Sequence, residues 1–280
     1  MSNPKTKGKI WIVENGKIRP RTDYLATEEP LEIRLVAGGM RRNVAVTMRT
    51  PGNDFELAAG FLYSEGVISD RANIRRITHC VDKEIELENR YNIVNVEIAA
   101  EELPDLASLE RHFYTTSACG VCGKTSLEAL RRRGFPPIQT QIKVSPELIY
   151  SLPEKLRAAQ GIFTVTGGLH AAALFDSEGE LLAVREDVGR HNALDKLIGW
   201  ALLTSQLPLN NHIIMVSGRS SFEIMQKCLA AGVPIVCAVS APSSLAVSLA
   251  QEFGITLIGF LRVERFNVYA GVERIGDAIA

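Results

Sequence analysis

The chain has 280 residues, 46 % hydrophobic and 22 % charged, and its 31 Lys and Arg against 32 Asp and Glu leave a formal net charge of -1. That length allows one large domain or two modest ones, and we read two; the balanced charge excludes a global attraction to nucleic acid or anionic lipid, so any anion-binding surface must be local. The N-terminal "MSNPKTKGKIWIVENGK" lacks the apolar core of a secretory signal, and no apolar run approaches the roughly 18 to 20 residues of a membrane span, so a cytoplasmic protein is expected.

In chain order, residues 1–22 read as a tail with a first strand, and residues 23–103 as a small α+β domain. Within it, "PLEIRLVAGGMRRNVAVTMRTP" is two alternating segments around Gly38-Gly39, the pattern of a hairpin. "NDFELAAGFLYSEGVI" carries apolar residues at helical spacing behind Asn53 as a cap. "EIELENRYNIVNVEIA" predicts a second hairpin turning at Asn89 to Tyr91. The acidic "AAEELPDLAS", interrupted by Pro104, marks the junction to a second domain over 104–280.

Beyond residue 145 the pattern changes. "SPELIYSLPEKLRAAQG" predicts a helix that starts at Ser145-Pro146 and ends on Gly161, and "GLHAAALFD" with "ELLAVRED" predicts a hairpin over a Ser-Glu-Gly turn. Strand and helix then alternate through "HIIMVSG", "SSFEIMQKCLAAG", "VPIVCAVS", "PSSLAVSLAQEFG" and "ITLIGFLRV". The strands are continuous β-branched runs, as expected when both faces are covered, and the helices end on Gly232 and Gly254. This is an α/β arrangement with a parallel or mixed sheet.

In such sheets ligands collect beyond the carboxyl ends of the strands, where helix N-termini offer unpaired N–H groups. Those ends read Ser217-Gly218-Arg219-Ser220-Ser221, Ser240-Ala241-Pro242-Ser243-Ser244 and Phe260-Leu261-Arg262. Each serine taken singly is better read as a helix cap, but the three ends together suit phosphates or another polyanion. "REDVGRHNALDKLIGW" adds Arg185, Glu186, Asp187, Arg190, His191, Asn192 and Asp195, too many polar groups for a segment that only covers the core. Asp187 either caps the following helix or orients Arg190 or His191 toward a ligand; the sequence leaves both open.

The stretch "SACGVCGKTS" supports two chemistries. From Ala118 it matches a phosphate loop, but such a loop needs a buried strand before it, and "SLERHFYTTS" is helical, then polar. Cys119 and Cys122 form a Cys-x-x-Cys pair. Zinc would need four ligands, and a zinc deaminase would need His-x-Glu and Pro-Cys-x-x-Cys, where this chain has Ala172 and Ala118. Cys80, Cys228 and Cys237 read as small core residues. The remaining reading is a nucleophilic thiol on a glycine-flanked loop. Thr125 and Glu128 are expected to cap the helix that follows, whose positive end favours thiolate together with Lys124.

Together these segments resemble the formate dehydrogenase accessory sulfurtransferase family (FdhD). The resemblance runs through "TPGNDFELAAGFLYSEGVI", "CGVCG", "TGGLHAAAL", "REDVGRHNALDKLIG", "SGRSSFEIMQK", "AVSAPSSLAV" and "TLIGFLRVERFNVY", nearly the whole chain in order. It implies a cytidine-deaminase-like second domain with a mixed sheet, a homodimer, and sulfur transfer from a cysteine desulfurase to the molybdenum of a bis(molybdopterin guanine dinucleotide) cofactor. That cofactor would be bound as substrate, without a structural metal, and passed to formate dehydrogenase. The resemblance makes Cys119 the persulfide carrier and Cys122 its partner thiol, relaying sulfur or resolving the persulfide. It places the cofactor on Phe260, Leu261, Arg262, Val263, Glu264 and Arg265, which Ser217 and Arg219 join from the strand-end reading. Glu264 departs from what a phosphate site wants, because a carboxylate beside pyrophosphate is repulsive unless it faces a guanine or solvent. Rival readings are a cofactor chaperone without catalysis and a P-loop nucleotidase.

Overall fold

The structure, a computed structural model, describes residues 3–104 and 123–276. Among the described residues the strands form three sheets, with orders β1-β2, β4-β3-β6-β5 and β12-β11-β10-β9-β7-β8.

Strands β1 (Lys5–Glu14) and β2 (Lys17–Ala26) make an antiparallel ribbon. Its turn is Asn15-Gly16, both at positive φ (52° and 75°), the two-residue geometry whose twist matches flanking strands. Strands β3 (Glu29–Ala37) and β4 (Met40–Arg49) form the expected hairpin, turning through Gly38 and Gly39 at φ 53° and 79°. On β3 the side chains of Leu31, Ile33, Leu35 and Ala37 are buried, while the residues between them are only half so, which is the period of two of a strand with one covered face. The covering helix is α1 (Asp54–Ser64). Asn53 stands at its N-cap position, in left-handed conformation, but its side chain accepts no capping bond.

The second predicted hairpin is not formed. Residues 84–86 lead into a single helical turn, α2 (Leu87–Arg90), and the Arg90 Nε–H donates to the Ile85 carbonyl at 2.8 Å, folding the loop back on itself. Strand β6 (Ile93–Ile98) pairs instead with β5 (Ile74–His79), antiparallel, and with β3, parallel. The charged "RR" of β5 hides its alternation, because an edge strand tolerates outward arginines.

The six-stranded sheet is mixed. Strands β9 (Ile213–Val216), β10 (Ile235–Ala238) and β11 (Thr256–Arg262) are parallel, while β7 (His170–Phe175), β8 (Leu181–Asp187) and β12 (Arg265–Ala270) join antiparallel. One face packs against α3 (Gly123–Arg132), α6 (Arg190–Leu203), α7 (Phe222–Ala230) and α8 (Ser244–Phe253). The other packs against α4 (Pro146–Ala159), whose Ile149, Leu152 and Leu156 lie in one core with Phe175, Met215 and Cys237. Helix α4 starts as its sequence predicts: the Ser145 hydroxyl accepts the Leu148 N–H at 3.2 Å and Pro146 occupies the first turn. A short helix, α5 (Gly161–Thr166), follows it.

The two larger sheets are joined where α1 crosses α6. A methyl group placed on Gly60 would lie 1.9 Å from the Asp195 carbonyl oxygen, and one on Gly199 would lie 1.8 Å from that of Glu56. The helices therefore touch backbone to backbone. Buried polar pairs flank the contact: Lys227 Nζ reaches both Asp195 oxygens at 2.8 and 2.9 Å, and Lys196 Nζ meets Asp187 at 2.7 Å and the Thr50 carbonyl at 2.8 Å.

Gly199→Ala is expected to lower stability by about 3 kcal/mol or more, since the clash is with main chain that cannot rotate away; an unchanged urea midpoint would contradict the close crossing. Lys196→Met is expected to destabilise by about 3–5 kcal/mol, because it strands the Asp187 charge in the interior. Adding Asp187→Asn to it should recover part of that loss in the same titration.

Candidate anion site at the rim of the six-stranded sheet

Because β9, β10 and β11 are parallel, their carboxyl ends share one rim. The antiparallel pairings His170↔Asp187 and Arg262↔Arg265 bring β7, β8 and β12 to the same rim. From β11 to β8 the rim spans four inter-strand steps, about 19 Å. Helices α6, α7 and α8 all start here, with Gly189, Ser221 and Ser243 as their N-cap residues, so the positive ends of three helix dipoles face one surface.

The serines divide by role. Ser243 is a true cap and accepts the Ala246 N–H at 3.2 Å. Ser217 accepts the Ala171 N–H at 2.9 Å and so ties β9 to β7. Ser221 does not cap α7; its hydroxyl donates to Glu223 at 2.7 Å and lies 3.3 Å from His191 Nε2. The His191 contact holds the Glu223 carboxyl at about 2, far below the usual carboxylate range. Ser220 is fully buried and its hydroxyl has no partner among the described residues. Arg219 is exposed beside it.

Asp187 is not a rim group. It is fully buried, and its oxygens accept the Thr50 and Gly189 N–H groups at 3.1 and 2.8 Å besides pairing with Lys196. It shapes the turn into α6 and anchors β4, and it touches neither Arg190 nor His191 among its recorded partners. Gly218 is where the rim narrows: a Cβ there would sit 3.3 Å from His170 Nδ1 and 3.5 Å from Arg190 Cδ. Burial first, then the neighbouring Arg190 and His191, holds His170 below the usual imidazole range, so at neutral pH it is a neutral donor and acceptor rather than a cation.

Residues 260–265 form the β11–β12 hairpin, with Val263 and Glu264 at its tip. Phe260 sits at a bulge with φ 52°, which turns its side chain half out into solvent, whereas Leu261 is only 1 % exposed and belongs to the core under α4. The Arg262 Nη1–H groups donate to the Val239 and Leu261 carbonyls at 2.7 and 2.8 Å; this pins the guanidinium against β10 and leaves its Nε and Nη2 donors for a ligand. Arg265 and Glu264 are exposed at the hairpin end.

A cavity of about 600 Å³ opens between α4, α5 and this rim. Its polar lining is Arg157, Gln160, His170 and Ser217, and its apolar wall includes Phe163 and Met215. Val239 belongs to the same wall, so the cavity is continuous with the Arg262 anchor. Arg157 stacks on the Phe163 ring at 4.2 Å. Sequence reasoning missed Arg157, Gln160 and Phe163, because they sit on a helix pair far upstream and nothing in their spacing marks them apart from an amphipathic surface.

Cys119 and Cys122 lie outside the described residues. Among the described residues the helix after them runs Gly123–Arg132 and includes Thr125. That helix is anchored by the buried Leu130, by Arg131 Nη2 on Glu252 at 2.9 Å, and, just past its end, by Arg133 on the Ser64 carbonyl at 3.4 Å. Cys80, Cys228 and Cys237 are buried, as their sequence context predicts. Burial pushes the Cys228 thiol up to about 12 and Cys237 higher still. Among the described residues no three His, Cys, Asp or Glu side chains come together as metal ligands, and no helix is long and apolar enough to cross a membrane.

Known proteins resemble this chain along most of its length. The model of the FdhD/NarQ family matches residues 26–276. A protein of Streptomyces coelicolor named sulfur carrier protein FdhD is 51 % identical over 278 residues, which cover 98 % of this chain and 97 % of that one. A relative of the same name from Saccharolobus solfataricus is 44 % identical over 263 residues, covering 94 % and 95 %. A crystal structure from Desulfotalea psychrophila, described as that of a formate dehydrogenase accessory protein, superposes with a TM-score of 0.75 at 27 % identity and covers 98 % of this chain and all of that one. By sequence along its whole length and by fold, the chain belongs to the FdhD/NarQ family.

Proposed function

We propose that the chain is a sulfurtransferase in formate dehydrogenase maturation, which takes sulfur from a cysteine desulfurase onto Cys119 and delivers it to a molybdenum cofactor held at the rim. The observation that carries this reading is the meeting, at one rim, of three helix N-termini, the pinned Arg262 and the adjoining cavity. Its relatives' name, sulfur carrier protein, supports the same role. The six-stranded sheet is read as a variant of the cytidine-deaminase-like arrangement in which Ala172 stands where a deaminase carries its glutamate.

In the first step the Cys119 thiolate attacks the outer sulfur of the donor's persulfide. One S–S bond forms on Cys119, the donor's S–S bond breaks, and the donor leaves as thiolate. In the second, the Cys122 thiolate attacks Cys119 Sγ, a Cys119–Cys122 disulfide forms, and hydrosulfide leaves for the molybdenum; a dithiol reductant then returns the pair to thiols. At the rim, Arg262 and Arg265 match the pyrophosphates of a bis(molybdopterin guanine dinucleotide) substrate, with Ser217, Arg219 and the exposed Phe260 and Val263 beside them. Leu261 contributes through its backbone, and Glu264 is exposed at the hairpin tip, free to face a guanine or solvent.

Cys119→Ala is expected to abolish the 32-dalton adduct that mass spectrometry finds after incubation with desulfurase, with guanosine diphosphate binding unchanged. A variant that still supports formate dehydrogenase activity would reject the carrier role. Arg262→Ala is expected to weaken guanosine diphosphate binding roughly tenfold or more by calorimetry, through loss of charge-assisted bonds. With iodoacetamide, Cys228 and Cys237 should be alkylated only after unfolding in urea, because the reactive form is the thiolate and burial suppresses it; labelling of Cys237 in the native protein would contradict its place in the core.

A further inference from the structure

The β1–β2 ribbon has two unlike faces. Cross-strand partners point to the same side, so Lys7, Lys9, Trp11 and Val13 of β1 share a face with Pro20 and Ile18 of β2. Trp11, Val13 and Ile18 are 70 %, 69 % and 68 % exposed. Every charged side chain on this face is a lysine. The ribbon's two acids, Glu14 and Asp23, stand on the opposite face, where Glu14 is also paired with Arg19 at 2.8 Å.

The face is graded along its length. The ribbon meets the body near its base, where Ala26 approaches Gly168 and β2 packs against α5, and its ten-residue strands reach about 33 Å from there to the turn. Lysines occupy the half nearer the base: Lys5 and Lys7 lie 5.1 and 5.8 Å from the Tyr24 ring, and Lys9 follows about 7 Å before Trp11. The outer half carries Trp11, Val13, Ile18 and Pro20. The FdhD/NarQ family model begins at residue 26, the last of β2, so the ribbon lies outside the stretch that defines the family.

Composition and area select what covers this face. A stable protein contact needs ~1,200 Å² in total, and one Trp, burying on the order of 150–250 Å², with three smaller groups on a ribbon two strands wide supplies a fraction of it. A bilayer sets no such threshold, because its headgroup layer closes around each apolar group that enters. Trp and Tyr rings favour that layer, and lysine stems run along apolar surface while their ammonium groups reach lipid phosphates. With a formal net charge of -1 the body adds no attraction, so the lysines must supply it and the lipid must be anionic.

We propose that this face of the ribbon lies in the headgroup layer of an anionic bilayer, with Trp11, Val13, Ile18 and Pro20 at the acyl boundary and Lys7 and Lys9 on phosphates. The contact does not depend on what the rim of the six-stranded sheet binds. The full-length protein is expected to co-sediment with vesicles of equimolar phosphatidylglycerol and phosphatidylcholine, and weakly with phosphatidylcholine alone. Trp11 fluorescence should shift to the blue and become shielded from acrylamide on adding the mixed vesicles, a change lost in Trp11→Phe, which keeps only Trp200. Trp11→Glu/Ile18→Glu is expected to weaken binding about 100-fold or more. Lys7→Glu/Lys9→Glu is expected to weaken it at least about 30-fold, roughly fivefold per lysine. Circular dichroism should show both variants folded, as these side chains face solvent. Wild type that stays in the supernatant, variants that bind as wild type does, or equal binding to phosphatidylcholine alone would each overturn the proposal. So would a Trp11 already shielded before vesicles are added, which would put a second copy on this face, and so would shielding by soluble polyglutamate but not by vesicles, the result for an acidic protein partner.

Discussion

The close crossing of α1 and α6 is the constraint on which the rest of the molecule depends. With glycine at 60 and 199, main chain meets main chain, and any side chain there would enter the opposing backbone. Close approach removes water from Asp195, Lys227, Asp187 and Lys196, so each charge must find its partner inside the interface. Side chains of α1 reach across the contact, since the Ser64 hydroxyl donates to Asp195 at 3.1 Å and Arg185 donates to Glu56 at 2.7 Å, so a slip of one residue along the crossing would break bonds that little solvent can replace. Thr50 shows the reach of this arrangement: its N–H meets Asp187 and its carbonyl meets Lys196, so the end of β4 is held to the start of α6.

That anchoring has a consequence at the rim. Asp187 is consumed inside the structure, and the turn it organises sets the direction in which α6 begins. Arg190 and His191 then stand in the first turn of α6, beside the starts of α7 and α8, without a carboxylate from Asp187 to neutralise them. Glu223 is the acidic group that does reach this cluster, and it is engaged by Ser221 and His191. The rim thus keeps a net excess of donors, from helix dipoles, Arg190, Arg219 and Arg262, in a protein whose total charge is close to zero. A local anion site is obtained without making the whole chain basic.

The fold separates two surfaces. The rim sits on the six-stranded sheet and is built from rigid strand ends, which suits the holding of a large polyanion. The β1–β2 ribbon sits on the N-terminal part and exposes Trp11, Val13 and Ile18, apolar groups that suit contact with an outside surface.

Much of this organisation is legible in residue pattern. The β3–β4 hairpin follows from alternation around Gly38-Gly39, the α/β alternation from buried β-branched runs, and the start of α4 from Ser145-Pro146, because each is a local preference that tertiary contacts reinforce. The convergence of the strand ends also follows, once the strands are read as parallel. Other features were not legible. "EIELE" alternates like a strand, yet Arg90 draws it into a loop while the charged "IRRITH" takes the edge of the sheet. Asp187 reads as a cap or an orienting group and is neither alone, since its partners Thr50 and Lys196 are distant in sequence or hidden on the far side of a helix. Arg157, Gln160 and Phe163 join the site only because α4 packs across the sheet. The sequence alone determined the elements, the class of the sheet and the chemistry of its rim, since these depend on neighbours a few residues apart. Only the tertiary structure decided which charges are spent in the interior and which remain for a ligand, because that depends on where water is excluded.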